Sequence, residues 1–318
     1  MCTAISMLRA GHLFGRTLDL EVSLGEQVVI TPAGFSFGGF STKYSMIGAA
    51  IVRDGAPLYF DGMNEKGLCA AALNYPDHAF YGKEKSGMLN TPSFALLPFI
   101  LGRCQSAEEA RELLKEINVT DTLFSDSLKP TPLHWLIADK DLALCAEPDM
   151  GGLTVYDDPY RVLTNSPPFP HQRLRLCDYM ALSPKPPENE LCPKAPLSPY
   201  SRGLGAMGLP GDYSSTSRFI RAVFALWHTR SEGEPISDFF HIMDSVAVPS
   251  GTVIAENGKA VRSIYTCCAD DNDLTYYYTT YGCRAIHGVK LTSKPKNLTC
   301  FPMSGTENIS FIDSLCDE

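Results

Sequence analysis

The 318-residue chain lacks most of the features that would place a protein in a class at sight. It has no block of Lys and Arg. With 27 basic against 36 acidic residues and a net charge of −9, it is a poor partner for nucleic acid or an anionic membrane surface. An anionic substrate would depend on a few local arginines. The longest uncharged run, "SGMLNTPSFALLPFILG", is too short to span a bilayer and is broken by Pro92 and Pro98. The N-terminus has no basic segment followed by an apolar one, so no secretory leader is read there. The expectation is a cytoplasmic protein without a membrane anchor. None of the eleven cysteines has C-x-x-C spacing, and the seven histidines do not cluster with them. No metal and no cofactor is therefore expected. Cysteines such as Cys69 in "GLCAAAL" and Cys145 in "LALCAEP" read as buried free thiols of a reducing compartment. No internal repeat is visible.

What is present is ordinary globular composition, 44% hydrophobic and 20% charged, with enough chain for a substantial core. "CTAISML" and "HLFGRTLDL" flank Gly11 and predict a hairpin starting at the very N-terminus. "QVVITPAG", "YSMIGAAIV" and "LYFDGMNEKGLCAAALNY" continue as strands. "NTPSFALLPFILGRC" predicts a helix with Pro92 near its start, and "SAEEARELLKEI" a second with a Ser106–Glu109 capping box. "LHWLIADK", "LALCAEP", "GLTVYDD" and "RVLTNS" return to strand. "FPHQRLRLCDYMAL", "SSTSRFIRAVFALWHT" and "PISDFFHIMDSVAV" carry helical periodicity. "VRSIYTCCAD" and "LTYYYTTYGCRAIH" have strong β propensity. Between them, residues 183–200 hold six prolines and are read as an irregular excursion within one domain spanning 2–318. The order of strands, helices, strands, helices, strands fits an α+β architecture of two stacked antiparallel sheets with helices outside.

A thiol directly behind Met1 then acquires meaning. A terminal strand paired in a sheet fixes its α-amine in space. Once Met1 is removed, Cys2 carries a thiol and an amine with neighbouring reference pKa values, so one residue can supply nucleophile and base. No histidine is needed, and His12 is not assigned a role. Such a site needs an acid near the amine, a cation near the sulfur and donors for an oxyanion. Arg16 and Asp19 lie on the returning strand. Strand alternation gives them opposite faces, so bringing both to Cys2 requires a bend or bulge. Asn74, Asn165 and Arg218 complete the candidates, the two asparagines each at a strand end.

These residues stand in blocks that resemble one family. Met-Cys-Thr, "FGRTLD", "MNEKGL" with "LNYP", "PLHWLIADK", "VLTNSPPF", "GLPGDYSSTSRF" and "YYYTTY" are similar, in the same order, to the choloylglycine hydrolases. These are the bile salt hydrolases and penicillin V acylases of the N-terminal-nucleophile superfamily. The resemblance implies an αββα sandwich and an amidohydrolase acting on linear amides. It implies Cys2 as nucleophile, Asp19 bonded to its amine and Arg16 by the sulfur. Asn165 would donate its side-chain amide, and Asn74 its backbone N–H, to the oxyanion, with Arg218 completing the network. Asn in "LNYP" favours a conjugated bile acid hydrolase over a penicillin V acylase. The resemblance also implies a homo-oligomer, a tetramer, and a leaving-amine loop carrying Ser201 and Arg202, the Ser-Arg form that accompanies taurine preference. The alternatives are the same chemistry on penicillin V or an acyl-homoserine lactone, or a non-catalytic amphiphile-binding homologue. A steroid pocket is expected from "LEVSLGE", residues 54–60 and "FSDSLKPTPLHW".

Overall fold

The computed structural model describes all residues except Ala10, 126–128, Ser231, Ser293 and 310–318. In chain order the strands are β1 (Cys2–Leu8), β2 (His12–Leu20), β3 (Gln27–Thr31), β4 (Met46–Arg53), β5 (Ala56–Tyr59), β6 (Asp61–Asn64), β7 (Cys69–Asn74) and β8 (Leu89–Pro92). Helices α1 (Ser93–Arg103) and α2 (Ala107–Leu114) follow. Next come β9 (Ile117–Thr120), β10 (Leu133–Ala138), β11 (Ala143–Asp149), β12 (Gly152–Asp157) and the short β13 (Val162–Leu163). Helices α3 (Phe169–Arg175), α4 (Ser215–His228) and α5 (Pro235–Asp244) precede β14 (Val253–Ile254), β15 (Ala260–Asp270), β16 (Thr275–Thr280), β17 (Cys283–Lys290) and β18 (Thr299–Pro302).

Two antiparallel sheets stack face to face, as the order of elements implied. The first runs β13-β1-β2-β15-β16-β17, with β14 beside β15. The second runs β12-β11-β10-β7-β6-β4-β3-β18, with β5 beside β4. Period-two alternation decides which side chains fill which layer. On β7, Cys69, Ala71 and Leu73 join the cluster between the sheets, while Ala70 and Ala72 pack outward with α1 and α2. β10 does the same with Leu136 inward and Trp135 and Ile137 outward. Helices α4 and α5 cover the first sheet through Phe219, Ala222, Phe239 and Met243.

The N-terminal hairpin sits where the sequence placed it. Cys2 stands opposite Leu18, and the register runs unbroken to Leu8 opposite His12. Gly15 is required by closeness: a Cβ there would lie 1.9 Å from the Cys267 carbonyl oxygen of β15. The irregular step lies on β15, between Ser263 and Tyr265, and not on β2. Arg16 and Asp19 therefore keep opposite faces, and the bend expected of β2 does not exist.

Other departures have local causes. "LTYYYTTYGCRAIH" is two strands, folded into a hairpin at Tyr281 and Gly282. "LYFDGMNEKGLCAAALNY" is three strands. The helix read over "FPHQRLRLCDYMAL" is α-helical only to Arg175 and then tightens to a 3₁₀ turn, Leu176–Tyr179. β8 and β9 form a two-stranded parallel pair that no alternation announced. The Ser106 hydroxyl accepts from the Glu109 N–H at 3.2 Å, but the Glu109 carboxylate reaches back to the N–H of Gln105, one residue before the cap. Residues 183–200 contain no α-helix or strand.

Candidate active site

Cys2 is buried at the end of a cavity of about 330 Å³ between the two sheets. Strand pairing puts Cys2, Ala4, Arg16 and Leu18 on one face of the hairpin, toward the second sheet. Thr3, Thr17 and Asp19 point the other way, toward α4 and α5. The main-chain nitrogen of Cys2 lies in the plane of the sheet, so groups on either face can approach it.

In the structure Met1 continues the ladder. Its amine donates to the Asp19 carbonyl at 2.7 Å, and the Asp19 N–H donates to the Met1 carbonyl at 3.0 Å. The Cys2 N–H donates to Asn165 Oδ1 at 2.9 Å. Arg218 Nη2 donates to the same oxygen at 2.7 Å, and its Nη1 donates to the Cys2 carbonyl at 2.5 Å and to Thr3 Oγ1 at 2.6 Å. Asn165 Nδ2 donates to the Asn74 carbonyl at 2.7 Å. Cys2, Asn74, Asn165 and Arg218 thus form one hydrogen-bonded group, although they lie on four separate segments. The Asp19 carboxylate accepts from Ser263 Oγ at 2.6 Å and from Thr17 Oγ1 at 3.1 Å. Burial lowers the pKa of the Arg218 guanidinium, with Asp19 and Cys2 pulling against it.

Asn74 matters through its backbone. The Tyr75 N–H donates to Pro132 across β10, and the Ala72 N–H to Phe60 on the other side. Alternation therefore turns the Asn74 N–H away from β10, toward the side where β6 has already ended, and Asn74 lines the cavity.

Arg16 is wholly buried beside the same space. Its Nη1 donates to the carbonyl oxygens of Phe60 and Ala72, while Nη2 has no hydrogen-bond partner among the described residues. Burial works against its charge, but the field of Cys2, Tyr265, Asp61 and Cys267 outweighs this and holds the pKa above its ordinary value. Asp61 accepts from the hydroxyls of Tyr265 and Tyr276 and from the Cys267 thiol, so it ties the two sheets together behind Arg16. Burial raises its pKa, against Arg16 and those three donors.

Part of the cavity wall comes from the segments the sequence pointed to, and part from Ile51, Ala72, Ser93 and Phe94 outside them. Leu20 ends β2 and Leu24 follows it, Leu58 and Tyr59 lie on β5 with Phe60 just after it, and Phe124 and residues 129–131 come from the segment ahead of β10, whose first residue is Leu133. Residues 126–128 of that segment lie outside the described residues. Ile51 and Phe94 complete an apolar lining around a few polar groups, the usual composition of a small-molecule site. Ser201 and Arg202 are exposed on the turn before a 3₁₀ helix, Leu204–Ala206, and do not line this cavity.

Sequence reasoning gave no role to Thr3, Thr17 or Ser263; the first two stand inside the Met-Cys-Thr and "FGRTLD" blocks, and Ser263 in no block. It also missed two histidine clusters. Ser6 Oγ lies 2.9 Å from His12 Nε2, and His12 Nδ1 lies 3.2 Å from Asp271. Ser6 is fully buried and its oxygen accepts from Arg161, so this chain closes the far end of the hairpin and offers no accessible nucleophile. His134, Cys145 and Glu147 form the one group of potential metal ligands among the described residues. Two of the three are already engaged: His134 Nε2 lies 2.8 Å from the Thr164 carbonyl, His134 Nδ1 3.1 Å from Glu147, and both Glu147 oxygens accept from the Phe169 N–H. Burial and the adjacent Glu147 push the Cys145 thiol well above its ordinary pKa, which disfavours the thiolate a metal needs.

Comparison with known proteins gives this geometry a family. A model of linear amide C–N hydrolases of the choloylglycine hydrolase family matches residues 2–309. The chain belongs to the choloylglycine hydrolase family. It is 39% identical over 307 residues to a bile salt hydrolase/transferase of Lactiplantibacillus plantarum, covering 94% of this chain and 95% of that one. It is 35% identical over 289 residues to a conjugated bile acid hydrolase of Lactobacillus acidophilus, covering 87% and 92%. The crystal structure of a mutant conjugated bile acid hydrolase from Clostridium perfringens superposes with a TM-score of 0.92 at 31% identity, covering 98% of this chain and all of that one. A penicillin V acylase from Agrobacterium tumefaciens shares the fold, with a TM-score of 0.71 at 20% identity over 92% of this chain and 87% of its own. As a choloylglycine hydrolase the chain is a linear amide C–N hydrolase, and the stacked-sheet architecture is that of the N-terminal-nucleophile fold.

Proposed function

We propose that this chain hydrolyses conjugated bile acids, cleaving the amide between a steroid acyl group and glycine or taurine. The observation that carries the reading is the placement of Cys2. Its sulfur faces an apolar cavity, and its nitrogen is held by Asn165 beside Arg218. With Met1 removed, the free α-amine takes the thiol proton and the thiolate attacks the amide carbonyl. The oxyanion receives hydrogen bonds from the second amide hydrogen of Asn165 and from the Asn74 N–H. Asp19 holds the amine from the α4–α5 face, and Arg16 favours the thiolate. The tetrahedral intermediate collapses as the ammonium protonates the departing amine. Water then attacks the acyl-thioester, giving the free bile acid and restoring the thiol.

The same reading takes Ser201 and Arg202 as contacts for the leaving amine, and residues 2–318 as one domain. The domain reading is supported by β18, which returns to pair with β3 while β15 pairs with β2. A homo-oligomer, a tetramer, is part of it. An apolar groove of about 450 Å³ lined by Tyr179, Met180, Phe224 and Trp227, with Met180 and Trp227 exposed, supports association. A cytoplasmic location is proposed too; no described helix is long and apolar enough to cross a membrane.

The test is amine release from a panel of taurine- and glycine-conjugated bile acids and penicillin V, with wild type and Cys2→Ala. The reading expects bile acid conjugates to be cleaved in preference to penicillin V, and no release from Cys2→Ala. Preference for penicillin V, or release that survives loss of the thiol, overturns it.

A further inference from the structure

Asn165 lies just beyond β13, which is only two residues long and ends at Leu163. No strand ladder therefore fixes its side chain against Cys2. Side chains do that work. Ser215 Oγ accepts from the Asn165 N–H at 2.9 Å, and Gln172 Nε2 donates to the Asn165 carbonyl at 3.2 Å. Thr164 before it and Phe169 four residues after it are held by one buried couple. His134 grips the carbonyl of Thr164, and Glu147 grips the N–H of Phe169.

The protons of this couple follow from the partners. A carbonyl oxygen only accepts, so His134 Nε2 must carry hydrogen to bond Thr164. In a neutral imidazole Nδ1 then has only a lone pair, and an ionised Glu147 also presents only lone pairs. Two acceptors 3.1 Å apart would repel. The contact is bonding only if the couple holds one further proton, on nitrogen as imidazolium or on oxygen as carboxylic acid. Both side chains are buried, and the ring of Tyr75, the residue after Asn74, stacks on His134 at 4.3 Å and 7°. We propose that His134 and Glu147 form a proton-sharing clamp that positions Asn165 against the Cys2 nitrogen. They are positioning residues and touch no reacting atom. The inference rests on the reading of Cys2 as the nucleophile.

The test compares Glu147→Leu, His134→Leu and Glu147→Gln, with kcat expressed per Cys2 alkylated by iodoacetamide, counted on the Cys2 peptide by mass spectrometry because Cys177 and Cys300 are exposed as well. Leucine removes the clamp and frees residues 164–169 from one anchor. A misplaced oxyanion donor then lowers kcat on the order of tenfold to a hundredfold, with KM within about twofold. Glutamine restores the bonds without the shared proton, since its N–H donates to Nδ1 and its oxygen accepts from Phe169. Glu147→Gln is expected to recover kcat to within about threefold of wild type. Leucine variants that keep wild-type kcat per thiol, or a glutamine variant as impaired as leucine, overturn the proposal.

If the leucine variants do not fold, proton NMR of wild type and Glu147→Gln decides the matter. The proposal expects a downfield shared-proton resonance from His134 Nδ1 that disappears in Glu147→Gln; its absence from wild type overturns the clamp. Wild type that cleaves no bile acid conjugate would overturn the substrate reading instead, and the NMR test would still apply.

Discussion

The Cys2 main-chain nitrogen donates to Asn165 Oδ1 across 2.9 Å, joining two residues 163 positions apart. Arg218 bonds the same oxygen and the Cys2 carbonyl, so it brackets the residue on both sides of its Cα. The thiol is left on the cavity face while the backbone of Cys2 is held in the sheet. This arrangement suits a residue that must act with both its side chain and its amine.

Asn165→Ala removes the acceptor for the Cys2 nitrogen and the proposed oxyanion donor together. The expected result is a fall in kcat of roughly a hundredfold or more. Steady-state kinetics on taurocholate checks it, and an unchanged kcat removes Asn165 from the site.

Much of this was legible in the sequence because strand periodicity is a local signal. β1 and β2 fall on "CTAISML" and "HLFGRTLDL" to the residue. Part of the apolar wall was legible as segments, since Leu20, Leu58 and Phe124 stand in the stretches chosen for them. The relation of Arg16 to Asp19 was not. Alternation gives two residues three apart opposite faces, and the expectation that both must reach Cys2 demanded a bend. β2 has none: Arg16 lies on the cavity face with the sulfur and the Asp19 carboxylate on the other, bonded to Ser263 and Thr17. The clamp under Asn165 was illegible for another reason. His134 and Glu147 sit in β10 and β11 like core residues, and only strand pairing brings them together. Their one sequence signal is that each is a polar residue inside an apolar run.

Arg202 is the cation proposed to meet the taurine sulfonate through charge-assisted bonds. Taurocholate is expected to show a higher kcat/KM than glycocholate. Because Arg202 is exposed, Arg202→Ala should narrow the gap by only about two- to fivefold. Parallel kinetics on the two conjugates checks this; equal or glycine-favouring ratios in wild type contradict it.

Asp212 leads into α4, the helix that carries Arg218. Its carboxylate accepts from the Ser214 N–H at 2.9 Å and from Ser217 Oγ at 2.6 Å. Hydrogen bonds from Ser214 and Ser217 hold its pKa down to about 2, from an ordinary value of 3.8. The folded pKa is depressed, so the stability it contributes is present in full above about pH 4 and is lost as pH falls through about 2. Carboxyl NMR should give a midpoint near 2, and the acid-unfolding curve of Asp212→Asn should lose this part of its pH dependence. A midpoint near 4 would contradict the assignment.

The central claim is that the amine of Cys2 is the base that activates its own thiol. That amine exists only when Met1 is gone, and in the structure the peptide bond to Met1 occupies its place. The most direct measurement is the intact mass of fully active enzyme, with activity normalised to titrated Cys2. The account predicts a mass lower than that of the full sequence by one methionine residue. Full activity in protein that retains Met1 would contradict it.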